Sequence, residues 1–228
     1  MRDGDLLVAD LSDHLLAITT GFAGARVLLF GAVAEPGDVV VVVRGPVEHQ
    51  RIRHKERFAG LWVNRTQAEI PDAPAFYRVA SSRPLNEVAA PALLDRQQIG
   101  LDHLALSVQR KAPSLAAADV RDALIRLKQA SGLYSAEIGQ VSFIGGTLFR
   151  TEMMFPANVP TGLYTVEVYL VKRGEVASAQ TTPLIVSKTG VGAEVFDFAM
   201  EHAALYGLVA VTLAAAAGWL AAAAFRRG

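Results

Sequence analysis

The sequence contains no cysteine, and its 22 basic residues balance its 22 acidic residues. Without cysteine the chain has no disulfide framework, so thiols do not report the redox state of its compartment. A net charge of zero argues against a nucleic-acid or other polyanionic partner, because such partners require a basic face. The 52% hydrophobic content is nevertheless high enough for a folded core.

Motifs for metal binding, phosphate binding and nucleophilic catalysis are also missing. The Gly21–Gly24 segment lacks the Lys-Ser/Thr of a phosphate loop, and no Gly-x-Ser-x-Gly elbow occurs. No histidine pair has a metal-ligand spacing such as His-x-x-x-His; the five histidines are His14, His49, His54, His103 and His202. We therefore predict no catalytic residue, no metal site and no cofactor, and we interpret the chain as a non-enzyme.

One long uncharged stretch is present, over residues 203–225. As a helix it would be about 34 Å long, enough for the roughly 30 Å hydrocarbon layer of a bilayer. Its Leu, Val and Phe residues favour insertion, whereas its eleven alanines are nearly neutral, so an alanine-rich buried helix is the alternative. We predict a transmembrane helix here.

Charges beside this stretch predict its orientation. Arg226 and Arg227 follow it, whereas Glu194, Asp197 and Glu201 precede it. The positive-inside rule places the diarginine end in the cytoplasm and the preceding region outside, which for a bacterial inner membrane means the periplasm. No apolar run of 7–15 residues follows the first methionine, so no signal peptide is visible. We expect a trimmed or misassigned start, with a tail-anchored cytosolic domain as the alternative.

Small residues recur along the predicted helix at alternating steps of four and three. Such a face allows two helices to approach closely, so it predicts association with a second copy or with another membrane protein. The face consists of Ala203, Gly207, Ala210, Ala214, Ala217, Ala221 and Ala224.

Strand-like segments dominate both ends of the rest of the chain. Five consecutive valines, Val39–Val43, lie between Pro-Gly and Gly-Pro turns, which predicts a strand buried on both faces. Near the other end, Leu163–Val171 alternates in side-chain character and leads through a short turn into a last strand. A final hairpin of this kind is typical of an immunoglobulin-like sandwich.

Helical patterns lie between these ends. Pro91–Ile99 begins with proline and stops at Gly100, and a second helix is predicted from an N-cap at Ser114 to Ser131. We therefore predict a mainly β fold class: an immunoglobulin-like β-sandwich with a helical insertion at about 86–135, plus one C-terminal transmembrane α-helix. The predicted domains are a periplasmic sandwich at 5–190, a juxtamembrane helix at 191–202, the membrane span at 203–225 and a cytoplasmic tail at 226–228. Two small sandwiches in series are the rival arrangement.

Several runs of residues stand in order along the chain and carry a resemblance. They are Leu11–Phe22, Asp38–Pro46, Gly60–Asn64, Phe76–Leu85, Arg96–Leu101 and Phe155–Gly162. Together they resemble a transmembrane protein family of alphaproteobacteria whose activity is uncharacterised. The resemblance implies an exported N-terminal region, an export signal and one C-terminal span, and it supplies no functional residues. Family members often neighbour sulfite-exporter-like permeases, which suggests such a permease as a partner.

Two function hypotheses follow. The first is a single-pass, membrane-anchored periplasmic domain acting as a non-enzymatic accessory or assembly subunit of a membrane complex such as a transporter. Its partners would be the lipid bilayer and another integral membrane protein or a second copy. The alternative is a tethered periplasmic solute-binding or enzymatic domain. Aromatic and arginine residues near Gly/Pro turns would form its ligand rim, namely Arg44, Trp62, Tyr77, Arg83 and His103.

Overall fold

The computed structural model describes residues 6–58, 61–110, 116–189 and 199–225. The chain divides into two units: residues 6–16 and 22–187 belong to the first, and residues 17–21 and 188–225 belong to the second. The strands are β1 Leu7–Leu11, β2 Leu15–Ile18, β3 Ala25–Val33, β4 Asp38–Arg44, β5 Val47–Phe58, β6 Leu61–Pro74, β7 Tyr77–Ser81, β8 Gln109–Arg110, β9 Gly139–Gln140, β10 Ser142–Ile144, β11 Leu148–Phe155, β12 Gly162–Lys172 and β13 Glu175–Lys188. The helices are α1 Leu85–Val88, α2 Pro91–Gln97, a 3-10 turn at Leu101–His103, α3 Ala117–Ala130 and α4 Ala203–Phe225.

A four-stranded sheet has the strand order β1-β3-β11-β10, with antiparallel neighbours throughout. Its strand β11 alternates strictly between exposed and buried residues, as expected for a sheet with one covered face. Phe149, Met153 and Phe155 are among the buried residues of this strand. The opposite face of the sheet carries the exposed side chains.

A six-stranded sheet has the order β2-β13-β12-β4-β7-β9. The valine strand β4 lies between β12 and β7, and Val39–Val43 are all buried. The prediction of a strand buried on both faces is therefore confirmed. The short strand β9 pairs with β7 in parallel and is the edge strand on this side of the sheet.

The two larger sheets pack face to face around an aromatic cluster. Phe155 of β11 stacks on Phe76, which precedes β7, with 5.0 Å between the ring centroids. Tyr164 of β12 meets the Phe155 ring edge-on at 5.9 Å. Because Phe155 comes from one sheet and Tyr164 from the other, these rings join the sheets into a sandwich.

A side-chain amide caps the outer edge of the four-stranded sheet. Ala9 directs its backbone N–H and C=O away from β3, since the alternate residues of β1 make the ladder bonds. Gln180 of β13 accepts from the Ala9 N–H at 2.8 Å and donates to the Ala9 C=O at 2.6 Å. The edge at Ala9 is thereby occupied, which prevents another strand from pairing there.

A three-stranded sheet, ordered β5-β6-β8, carries helix α3. Val120 and Leu124 of α3 form a buried cluster with Ala68, Ile70 and Ala73 of β6. Lys128 continues the same face of the helix and is also buried. The predicted N-cap, Ser114, lies outside the described residues.

The end of helix α2 differs from the prediction. The helix stops at Gln97, and Gln98 adopts the left-handed conformation with a φ of 52°. The prediction that Gly100 is the stop signal is wrong, because Gly100, with a φ of 101°, serves instead as the residue before the 3-10 turn.

The predicted fold class is correct in its mainly β character but wrong in its type of sandwich. Immunoglobulin-like domains pair seven to nine antiparallel strands in two sheets. Here the six-stranded sheet includes the parallel pair β7–β9, and β5, β6 and β8 form a further sheet. Turn signals and alternation do not encode strand partners, which explains this error.

The predicted transmembrane helix is a second correction. Residues Ala203–Phe225 are helical, as α4. Among the helices of the described residues, however, none combines the length and apolar character needed to cross a membrane. The prediction relied on the length of the stretch, its absence of charge and its Leu, Val and Phe residues, whereas eleven of these residues are alanine, which favours lipid little. Most of the predicted juxtamembrane helix and the whole tail, with Arg226 and Arg227, lie outside the described residues.

Candidate functional site

The residues of the predicted ligand rim do not all lie together in the structure. Arg44 and Tyr77 lie opposite each other, at the end of β4 and the start of β7. Arg83 follows the other end of β7, and His103 belongs to the 3-10 turn. The side chain of Trp62 is outside what the structure describes.

The Arg44 guanidinium makes its contacts within the protein. Its guanidinium donates to the Glu167 carboxylate on β12 and, at 2.6 Å, to the carbonyl of Gln97 at the end of α2. It also lies 6.0 Å from the centre of the Tyr77 ring. Glu167 accepts a further hydrogen bond from the Tyr169 hydroxyl at 2.8 Å. Arg44 therefore ties α2 to the six-stranded sheet.

Tyr77 makes the same connection from the next strand. Its hydroxyl donates to the Gln98 carbonyl at 2.6 Å and accepts from the Gly100 N–H at 2.8 Å. Burial raises the pKa of Tyr77 to about 12, because the phenolate would lose its hydration. The neutral hydroxyl thus holds the junction between α2 and the 3-10 turn.

Arg83 forms a bidentate ion pair at the opposite end of these strands. Its Nε and terminal nitrogen donate to the two oxygens of Asp38 at 2.8 and 2.5 Å. These hydrogen bonds lower the pKa of the Asp38 carboxyl. Ser82 donates to the same carboxylate at 3.1 Å. This arrangement fixes the strand ends and is separate from Tyr77 and His103.

Tyr77 and His103 line a cleft of about 730 Å³ in the first unit. Helix α3, the 3-10 turn, α1 and the segment at residues 135–138 form its walls. Its polar lining consists of Asn86, Asp102, His103, Arg121, Asp122, Arg126, Gln129 and Ser135. The volume lies within the range of sites for small molecules.

Two contacts shape the polar side of this cleft. Arg121 donates to the carbonyls of Leu101 and Asp102 at 2.6 and 2.8 Å, which ties α3 to the 3-10 turn. Nδ1 of His103 lies 2.6 Å from Oδ1 of Asp95 on α2, so the other ring nitrogen is the one left for a ligand.

Helix α3 lines the cleft, but the predicted rim contains no residue of this helix. Arg121, Ile125 and Gln129 recur every four residues, which places them on one face of a helix. This spacing was a usable signal, but the sequence analysis predicted only a helix over this segment and took no site residue from it.

A second feature is an apolar row on the outer face of the four-stranded sheet. In register across β1, β3, β11 and β10, the row consists of Val8, Ala32, Leu148 and Ile144. Val8, Leu148 and Ile144 are 40%, 53% and 48% exposed. Phe30 stands beside the row on β3 and is 46% exposed. Exposed apolar patches of this kind mark interaction surfaces.

Charged residues border the apolar row. Phe30 lies between Asp10 and Arg150 in the strand register. Further along the same face, Arg26 of β3 and Glu152 of β11 approach each other at 3.9 Å. The six-stranded sheet also exposes Leu163 and Ile185, which pair across β12 and β13, but this pair crosses fewer strands.

The predicted small-residue face belongs to α4 in the second unit. Ala203, Gly207, Ala210, Ala214 and Ala217 are exposed along the described part of the helix. The side chains of Ala221 and Ala224 are outside the described residues. Association through this face stays a prediction.

Metal binding finds no support in the described ranges, where no three His, Asp or Glu side chains are placed to hold an ion.

Among curated proteins, none matches this chain. A family model does match, over residues 6–227, and its description is "Putative transmembrane protein (Alph_Pro_TM)". Since the match covers nearly the whole sequence, this chain belongs to the Alph_Pro_TM family.

Proposed function

We propose that the protein is a non-enzymatic accessory or assembly subunit of a membrane complex. Family membership associates the chain with a membrane. The apolar row on the four-stranded sheet is the observation that supports a subunit role, since it offers a surface for a partner. Its partner would be an integral membrane protein, and the family resemblance makes a sulfite-exporter-like permease the first candidate.

The exposure of the row indicates how much a partner could gain. Leu148, Ile144 and Phe30 each leave about half of their surface accessible. Covering the exposed half of such a side chain contributes roughly 1 kcal/mol. Together with Val8, these three side chains would contribute roughly 3–4 kcal/mol, which is a substantial part of the free energy of a transient complex.

The surroundings of the row favour a protein partner over a lipid surface. Asp10 and Glu152 lie on this face together with Arg26 and Arg150, so both signs of charge border the apolar centre. A surface that binds anionic lipids would carry mainly basic residues. An apolar centre with a mixed polar rim is instead the usual anatomy of a protein–protein interface.

Site-specific photo-crosslinking in native membranes tests this role. A photoreactive phenylalanine analogue at Leu148 is expected to give an adduct with one integral membrane protein. The same analogue at Arg173, an exposed residue in the turn between β12 and β13, is the control and should give none. An adduct of the chain with itself, or equal adducts at both positions, would contradict the proposal.

A second variant separates docking from proximity. With the photoreactive group at Ile144, the substitution Leu148→Asp should remove the adduct, because the two residues are paired across β10 and β11. The circular dichroism of this variant should match that of the parent chain, since Leu148 is an exposed residue. Persistence of the adduct would show that the row does not form the interface.

The β-rich unit is placed on the periplasmic side of the inner membrane in this proposal, as the family resemblance implies. The absence of cysteine makes this measurable with a single Arg173→Cys substitution. In cells with a permeabilised outer membrane and an intact inner membrane, a membrane-impermeant maleimide should label the variant and leave the parent chain unlabelled. Labelling only after the inner membrane is broken would place the unit in the cytoplasm.

A further inference from the structure

We propose that the cleft beside α3 binds a small zwitterionic solute with an aliphatic part, the chemistry of an amino acid or a short peptide. The cleft and the apolar row belong to different elements of the first unit. Solute binding and partner docking can therefore fail independently in an experiment.

Several charged groups of the cleft are already satisfied by protein partners. Arg121 donates to two carbonyls of the 3-10 turn and lies 3.5 Å from the Asp122 carboxylate. His103 is paired with Asp95 through Nδ1. These groups build the walls and have little charge left for a ligand.

One cation and one carboxylate remain after these pairs are removed. Arg126 and Asp102 both line the cleft, are exposed and form no ion pair with any described residue. A purely anionic ligand would be repelled by Asp102, and a purely cationic ligand by Arg126. A ligand that carries both charges can pair its carboxylate with Arg126 and its ammonium group with Asp102.

The remaining lining supplies the apolar contact. Leu101, Ile125 and Ile138 contribute aliphatic side chains to the cleft, and Ile138 is 39% exposed. Gln129 and Asn86 add neutral hydrogen-bonding groups. An aliphatic side chain on the zwitterion would cover Ile138 and its neighbours while the charged ends meet the polar groups.

Binding of the dipeptide Leu-Leu to the full-length protein, measured by isothermal titration calorimetry, tests this site. The free dipeptide should bind at least tenfold more tightly than its C-terminal amide and than its N-acetyl derivative. Arg126→Gln should make the free dipeptide and the amide bind equally. Asp102→Asn should do the same for the free dipeptide and the acetylated form.

Each charge of the ligand is thus matched to one side chain. Arg173→Gln, in the exposed turn between β12 and β13, is the control and should leave all affinities unchanged. No binding of the dipeptide, equal binding of the charged and blocked forms, or unchanged discrimination in Arg126→Gln and Asp102→Asn would overturn the proposal. Circular dichroism of the two variants should match that of the parent, since both side chains are exposed.

Discussion

Replacing Lys128 by methionine is expected to lower the free energy of unfolding by roughly 2–4 kcal/mol, the largest single-residue effect that we predict. Lys128 is buried on α3, and its Nζ donates to Oε2 of Glu48 at 2.9 Å and to the Ala75 carbonyl at 3.3 Å. Methionine fills a similar volume but leaves the Glu48 carboxylate without its cation. Urea unfolding followed by circular dichroism measures the loss.

The burial of the two partners sets the size of this effect. The side chain of Lys128 is 9% exposed, whereas that of Glu48 is 33% exposed. Water can therefore rehydrate part of the orphaned carboxylate, and Gln50 still donates to it at 2.8 Å. For this reason we expect the lower part of the range that fully buried pairs show.

A matched pair of variants separates lost charge pairing from lost packing. Lys172→Met removes a lysine whose partner, Glu35, is 63% exposed, so it should lower the free energy of unfolding much less than Lys128→Met does. Adding Glu48→Gln to Lys128→Met should recover part of the loss, because the orphaned charge is then gone. If the double variant is as unstable as the sum of both changes, the ion pair is not the cause.

Local sequence patterns could predict the valine strand and the mainly β character. A run of valines between turn signals predicts a strand that is buried on both faces. This prediction does not depend on which strands are its partners. Helix α2 begins at Pro91 as predicted, because proline at the first turn is a local signal. The stop at Gln98 was missed because a left-handed glutamine has no distinctive sequence signature.

The candidate sites depend on pairings that are distant in the sequence. The apolar row joins Val8 and Leu148, which become neighbours only through the register of β1, β3 and β11. Similarly, the cleft joins Asp102 to Arg126 through contacts of α3 with the 3-10 turn. The ligand rim was predicted from aromatic and arginine residues near turns. This criterion selected Arg44 and Arg83, which form ion pairs within the protein.

Alkaline pH is expected to unfold the first unit through its buried tyrosines. Burial raises the pKa of Tyr77 to about 12, and it also raises the pKa values of Tyr134, Tyr164 and Tyr169. A raised pKa in the folded state means that the fold favours the neutral phenol. The corresponding stability is fully present below pH 10, the ordinary value, and is lost as the pH rises through 10 towards the folded-state values.

The absorbance of the phenolate at 295 nm, recorded together with far-ultraviolet circular dichroism, measures this coupling. Most of the phenolate signal should appear in the same pH interval as the loss of β-structure, above the interval seen for the chain in urea. Completion of the phenolate signal near pH 10 with the fold intact would contradict the assignment of these tyrosines as buried.

Tyr77→Phe is the variant that ties the effect to one residue. At neutral pH it should cost roughly 1–3 kcal/mol, because the Gly100 N–H loses its acceptor and the Gln98 carbonyl keeps only the Arg44 guanidinium, at 3.2 Å, as a donor. Above pH 10, however, its stability should fall less steeply, by up to about 1.4 kcal/mol per pH unit, since one ionising group is gone. A variant that is less stable at pH 7 but loses stability more slowly between pH 10 and 12 can be explained by removal of a buried phenol. A simple packing defect would instead lower the free energy of unfolding by the same amount at every pH.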